Sequence, residues 1–345
     1  MTFDFTVYKG SPSGEIFESQ SHRPALTKDE IYIQITHSGV CGTDEHFKWV
    51  VQGLGHEGVG IVKAIGPDVK TFKVDGGMVL MRDSGDRAGW GYVNETCGVC
   101  QHCVAGDWIY CTGGLKQFGD GNTDQGSFGT GAVWKEHCLF HIPDSMASDV
   151  AAPLMCAGVT VFSPLTRYGV KSTDVVGVVG IGGLGHLALQ FASALGCEVV
   201  ALSGSEEKKE EALRLGATHF VATKGVKDLK VPRKINHLIV TTSQMPDWQQ
   251  YNAILAPMAS IYPLTITDFE TRLEIPFMNF LLTGRKIIGS TVPPKIVYMQ
   301  MLEFAALHEV KPVIDPFPLT KQGVEDSLKK LDAGNMRYRG VLYAE

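Results

Sequence analysis

The chain has 345 residues, more than one comfortable core accommodates, so about two domains are expected. Hydrophobic residues make up 44%, charged residues 20%, and the formal net charge is −6; nothing in this balance suggests a nucleic-acid or anionic-membrane partner. No apolar run reads as a bilayer span, and no charged-then-apolar segment opens the chain, so a cytoplasmic protein is expected.

Up to about residue 150, short alternating apolar stretches are broken by Gly, Pro and Asp. Residues 30–40 and 58–66 read as strands, the second rich in β-branched residues, and predict a mostly β domain. Between them stand Cys41, in SGVCGTDEH, and the pair His56-Glu57, in GLGHEGVG. These are metal-ligand types flanked by glycines. Alone, a His beside a Glu is more often a satisfied pair than a ligand, and no spacing here is diagnostic.

Cys97, Cys100, Cys103 and Cys111 follow with the spacing C-x2-C-x2-C-x7-C. Four thiolates this close can converge tetrahedrally on one structural zinc. Two disulfides are the competing reading. Without an export segment, clustered cysteines in a chain of this size read as metal ligands. Cys138 and Cys197 read as small core residues, and Cys156, in AAPLMCAGVT, would read the same way if taken alone.

From about Ala157 the pattern changes to alternating strands and helices, which predicts a parallel doubly wound sheet. Residues 174–180 read as a buried strand, and the turn Gly180-Ile-Gly182-Gly183-Leu184-Gly185 opens the helix after it. This is G-x-G-x-x-G in its proper setting. Gly180 permits the tight turn, Gly182 lets a pyrophosphate approach the backbone, and Gly185 lets helix and strand pack closely. The helix N-terminus offers N–H groups to the phosphates. After the next strand, residues 197–203, an NAD site usually carries an acidic residue for the ribose hydroxyls. Ser203-Gly204-Ser205 stands there, and with Lys208 it suits a 2′-phosphate. Glu206 and Glu207 count against that, unless they serve the first turn of a helix capped by Ser205. NADP(H) is therefore expected over NAD(H). The last segment, residues 319–343, reads as a helix and a strand returning to the first domain.

Taken together, Cys-Gly-Thr-Asp-x-His, Gly-His-Glu, the four-cysteine lobe, APLxCAGxTVxSPL, GxGGLGH and the terminal MRYR resemble the zinc-dependent medium-chain alcohol dehydrogenases, in their cinnamyl-alcohol-dehydrogenase-like branch. The resemblance covers essentially the whole chain. It implies a mostly β GroES-like catalytic zinc domain, residues 1–156 and 293–345, and an α/β Rossmann domain, residues 157–292. It implies two zinc ions per chain. Cys41, His56 and Cys156 would bind the catalytic one, with Glu57 as an alternative fourth ligand. Thr43 and His46 match the family's proton-relay positions, and Thr160 matches a residue beside the nicotinamide. The implied reaction is hydride transfer between a small alcohol or aldehyde and the cofactor, and a homodimer paired through the Rossmann sheet edge, near Ile261, is expected. A zinc-free quinone or enoyl reductase is disfavoured by the ligand set. An idle relative is disfavoured because neither a ligand nor the glycine turn is lost.

Two departures stand out. Gly55 comes nine positions after His46 and the usual Pro before Gly-His-Glu is absent, so the loop lining the substrate entrance is short. Ten residues, Asp75 to Ser84, interrupt the family's KV-GDRAGWGY pattern and read as an insertion, either a surface loop or retained intron sequence. Trp49, Trp90, Phe118 and Met278 are candidates for pocket walls, with core packing expected for at least half.

Overall fold

The computed structural model describes residues 2–74, 85–242, 245–267 and 270–344. These divide into two units, Met1–Val159 with Val292–Leu307 and Pro312–Glu345, and Thr160–Thr291 with His308–Lys311. The proposed insertion at 75–84 lies outside the described residues. Its stems meet: Lys73 N donates to Asp86 Oδ2 at 2.8 Å, and Asp86 N to Lys73 O at 3.2 Å.

The first unit is built on a sheet whose order is Ile314–Pro318, Arg339–Tyr343, Glu30–Val40, Gly58–Ile65, Arg87–Trp90, Phe140–His141, with Gly131–Lys135 also pairing to Glu30–Val40. Along Glu30–Val40 the period-two pattern sends Ile31, Ile33 and Ile35 inward. They join Leu54, Trp90 and Phe128 in one core. The register of these strands positions the chemistry. Ser38 pairs with Gly58 and Gly340 with Val40, both antiparallel. The end of one strand, the start of the next and the start of the last therefore share one end of the sheet. Cys41, His56-Glu57 and Arg339 are the residues that flank it. A hairpin, Phe3–Lys9 with Phe17–Arg23, adds a second small sheet that the sequence reading did not include.

Cys156 sits on a π-helical turn, Leu154–Gly158, between the helices Ser148–Pro153 and Val159–Arg167. Such turns are rare and recur at functional sites. The stretch Ser148–Arg167 corrects one expectation, because its length and hydropathy do match a bilayer span; 72% of its apolar window is buried inside the fold, as in a core helix.

The second unit carries six parallel strands in the order His219–Ala222, Glu198–Ser203, Val175–Val179, Ile235–Val240, Leu255–Pro263, Lys286–Ile287. Numbered along the chain this is 3-2-1-4-5-6, the dinucleotide-binding order. The strand holding Ile261 is not the sheet edge. Lys286–Ile287 pairs outside it, so the edge lies one strand further on.

Candidate active site and metal centres

Ligand atoms of Cys41, His56, Glu57 and Cys156 all lie within 4.8 Å of one another, and the two sulfurs are 4.0 Å apart. The chain prepares His56 from behind. Its Nδ1 stands 3.0 Å from Asp44 Oδ1, the same oxygen that accepts from Gly55 N, while Asp44 Oδ2 accepts from Cys41 N at 3.0 Å. Asp44 is fully buried, so one carboxylate fixes both flanking loops and the imidazole. Carboxylate-oriented imidazoles are the rule at metal sites. Nε2, the other ring nitrogen, is buried without a hydrogen-bond partner. Two thiols and an imidazole, buried together, fit zinc with a fourth position open, beside which stands the Glu57 carboxylate held by Arg339.

The titratable groups of the site act strongly on one another. Burial opposes a charged His56, but Asp44 and the Cys41 sulfur more than reverse this, and the ring is held well above its ordinary value. The contact between the two sulfurs holds Cys41 well below the ordinary thiol value and Cys156 well above it. Burial raises Glu57 to about 7, against the opposing pull of Arg339. The Arg339 guanidinium donates to Glu57 Oε1, and both groups are buried. Breaking a buried pair by removing one partner typically costs about 3–5 kcal/mol. Gly39 makes room for this pair, because a Cβ there would stand 1.9 Å from Glu57 Oε2.

The sequence reading missed Asp44 as an orienting group, Arg339 inside its own MRYR motif, and Tyr92. Tyr92 is half-buried, its ring 5.6 Å from the His56 ring and 5.9 Å from Phe118. The signal for Asp44 was present, since it stands three residues after Cys41 at the start of a short helix. Thr43 is half-buried with its hydroxyl 3.8 Å from Cys41 Sγ, and His46 is exposed at the end of the same helix. Of the pocket candidates, Phe118 is buried 4.7 Å from the His56 ring. Trp90 is core, beside Trp134 and under Gly58. Trp49 is 51% exposed, and Met278 is 54% exposed in the helix Phe277–Thr283 of the other unit.

Cys97, Cys100, Cys103 and Cys111 converge in the same way, also within 4.8 Å. Backbone N–H groups of Cys103 and Thr112 hold Cys100 down at about 5, which prepares a thiolate. Burial and the neighbouring thiols raise Cys103 to about 11. Cys138 and Cys197 are buried. Four thiols, with no fifth ligand group beside them among the described residues, fit a closed structural zinc site.

In the second unit, Gly180 adopts φ +87°, which a side chain rarely permits. A Cβ on Gly185 would meet Gly180 O at 1.8 Å, so this glycine serves helix packing. A Cβ on Gly182 would meet nothing within 4 Å. Among the described residues no packing requires glycine there, and the open cradle fits an approaching pyrophosphate. Gly183 and Leu184 complete the turn, Leu184 as N-cap of the helix Gly185–Ala194. Ser203 ends its strand. Ser205 does not cap with its side chain: it precedes a short 3-10 turn, Glu206–Lys208, and makes no capping hydrogen bond. Lys208 Nζ donates to Ile181 O at 2.9 Å, tying the cation to the glycine turn. Thr160 is half-buried in its helix.

A metal site with a spare position, on a chain that also cradles a dinucleotide, suits metal-assisted hydride transfer, the chemistry of zinc-dependent dehydrogenases. Family models agree: "Alcohol dehydrogenase GroES-like domain" matches residues 27–144 and "Zinc-binding dehydrogenase" residues 183–307. The NADP-dependent alcohol dehydrogenase C 1 of Mycolicibacterium smegmatis is 32% identical, over 93% of this chain and 92% of its own length. A cinnamyl alcohol dehydrogenase from Sorghum bicolor superposes with TM-score 0.86 at 29% identity, covering 99% of this chain and 98% of its own. A Helicobacter pylori structure, described as CAD complexed with NADP(H), gives TM-score 0.87 at 25% identity, covering 99% of both chains. The chain belongs to the zinc-dependent medium-chain alcohol dehydrogenases, in the cinnamyl-alcohol-dehydrogenase-like branch.

Proposed function

We propose that this enzyme works chiefly as an NADPH-dependent aldehyde reductase, with Cys41, His56 and Cys156 holding the catalytic zinc and Cys97, Cys100, Cys103 and Cys111 the structural one. The observation that carries the reading is His56 Nε2, buried and unpartnered while Nδ1 is fixed by Asp44. When bound, zinc supplies Lewis-acid polarisation of the substrate oxygen and the nicotinamide supplies or accepts the hydride. The chain's own residues do the rest. Asp44 holds the imidazole with Nε2 presented. Arg339 restrains Glu57, which keeps a second carboxylate near the donor set without leaving it unneutralised. Phe118 and Tyr92 wall the imidazole with aromatic surface and exclude water from that side. In reduction exposed His46 takes a proton from solvent and Thr43 delivers it to the substrate oxygen; in oxidation the proton runs the other way. Metal analysis and aldehyde-reduction assays on the same preparation test the reading.

Thr43→Ala should lower alcohol oxidation by about 100-fold or more without metal loss, in the range of general acid–base contributions. His46→Gln should cost less, because water reaches an exposed position, and an imidazole buffer should restore part of the rate. Zinc loss in either variant, measured by elemental analysis, would show that a ligand has been misassigned.

NADPH preference rests on Ser203, Ser205 and Lys208. Ser205 is not consumed by capping, and Lys208 reaches the glycine turn. Glu206 is instead 3.2 Å from Lys209 in an exposed pair. The expected result is a higher kcat/KM with NADPH, and Ser203→Asp should shift the preference toward NADH. Equal or better use of NADH by the unaltered enzyme would assign the acidic role to Glu206 or Glu207.

The reading also places a homodimer in the cytoplasm. None of the eight cysteines is in a disulfide, which suits a reducing compartment. Phe277, Leu281 and Leu282 are 69%, 61% and 76% exposed on a helix that packs beside Leu255–Pro263 at the edge side of the sheet. Apolar surface of this kind marks an interaction face. Sedimentation should give a dimer, and Leu282→Glu should give a monomer; a monomeric wild type would remove this part of the proposal.

A further inference from the structure

Between the third and fourth thiols of the cysteine lobe the chain runs through the short turn Trp108–Tyr110. Trp108 is only 6% exposed, and its indole N–H donates to Pro293 O at 2.7 Å. Pro293 stands where the chain re-enters this unit, just before the helix Lys295–Leu307. Lys295 pins the same helical turn by donating to His137 O at 2.8 Å. The Trp108 ring meets Tyr298 edge-on at 6.1 Å and Phe140 at 6.2 Å, and Tyr298 stacks on Phe140 at 4.3 Å.

Tyr298 is 1% exposed and reaches the catalytic ligand's neighbourhood. Its hydroxyl lies 2.9 Å from the point where a Gly91 Cβ would stand, and the Met155 carbonyl oxygen lies 2.8 Å from that same point. The helix that carries Tyr298 packs against Leu154–Gly158, the turn that presents Cys156. A π-helical turn lacks the ordinary i→i−4 ladder, so what packs on it has more influence over its shape. Aromatic rings in a close-packed interior transmit small displacements because there is little free volume to absorb them.

We propose that Trp108 is a positioning residue for Cys156: the four-cysteine lobe, through Trp108 and Tyr298, sets the geometry of the catalytic metal site. The structural metal then contributes to catalysis as well as to folding. This rests on Cys156 being a ligand of the catalytic metal, as proposed above.

The test exchanges the catalytic-site zinc of the holoenzyme for cobalt(II), whose thiolate charge-transfer band reports Cys41 and Cys156, and follows its release to EDTA. Trp108→Phe keeps a ring but loses the donor to Pro293. It should shift the band and speed release about 10-fold, the lower end of what outer-shell changes cost in metal affinity, with the four-cysteine metal retained. Tyr298→Phe should do the same, and the double variant should release no faster than the faster single one, because both act on one path. An unchanged band and rate in Trp108→Phe, or effects that multiply in the double variant, would overturn the proposal. If Trp108→Phe does not fold, Tyr298→Phe decides alone, and unchanged release overturns it. A wild-type enzyme that takes up no metal at this site removes the ligand assignment and the inference with it. A wild type that holds the metal while the variants release it normally removes the inference only.

Discussion

Cys156→Ala is expected to abolish turnover while leaving most of the fold. Its sulfur stands 4.0 Å from that of Cys41, and the set it completes includes an imidazole nitrogen with no other partner. Without it the site keeps one thiol, the imidazole and a carboxylate already committed to Arg339. Lewis-acid stabilisation is worth several kcal/mol, and about 4 kcal/mol corresponds to roughly a 1,000-fold loss in rate. Zinc content should fall by one ion per chain, and the circular dichroism spectrum should hardly change. Retained activity above about a tenth of wild type would place the catalytic metal elsewhere.

Cys100→Ser should act on folding instead. The lobe from Cys97 to Cys111 has little apolar core of its own: Val99, Val104 and Tyr110 are exposed, and Trp108 is its buried anchor. Its order should therefore depend on metal, because structural zinc contributes folding free energy directly, about 10–16 kcal/mol in isolated zinc-finger peptides. Net stabilities are only about 5–15 kcal/mol, so even a fraction of this is decisive. Thermal unfolding should shift down by about 10 °C or more, or the protein should fail to accumulate in soluble form. An unchanged Tm with one zinc lost would mean that the lobe folds without its metal.

Some parts of the structure were legible because local chemistry specifies them. The cysteine spacing confines four thiols to one short lobe whatever surrounds it. The glycine turn follows from φ at Gly180 and from helix packing at Gly185, both of which are strictly local demands. The parallel sheet followed from strand and helix alternation, and its order agrees with the dinucleotide-binding pattern. The proposed catalytic ligands are a different case. Cys41, His56 and Cys156 are far apart in sequence, and no spacing rule joins them. They were legible only through the resemblance, and strand register brings the first two together.

What stayed hidden depends on pairing across long separations. Arg339 reaches Glu57 only because Arg339–Tyr343 lies alongside Glu30–Val40. Asp44 looked like one more polar residue in a short helix until three hydrogen-bond partners were seen to converge on it. The Ser205 cap was misread because the helix opens with a 3-10 turn, which leaves the hydroxyl outside capping geometry. Of the pocket candidates, Phe118 stands beside the His56 ring and Trp90 packs in the core, a difference that depends on tertiary contacts and carries no periodic signal in the sequence.

The measurement that bears most directly on the account is zinc content against NADPH-dependent aldehyde reduction, followed together as a chelator removes metal from the native enzyme. The account predicts two zinc ions per chain in fully active protein. It also predicts activity that falls in proportion to loss of the ion held by Cys41, His56 and Cys156, and returns when zinc is restored. Full activity with one ion or none, or aldehyde reduction that survives removal of both, would contradict it.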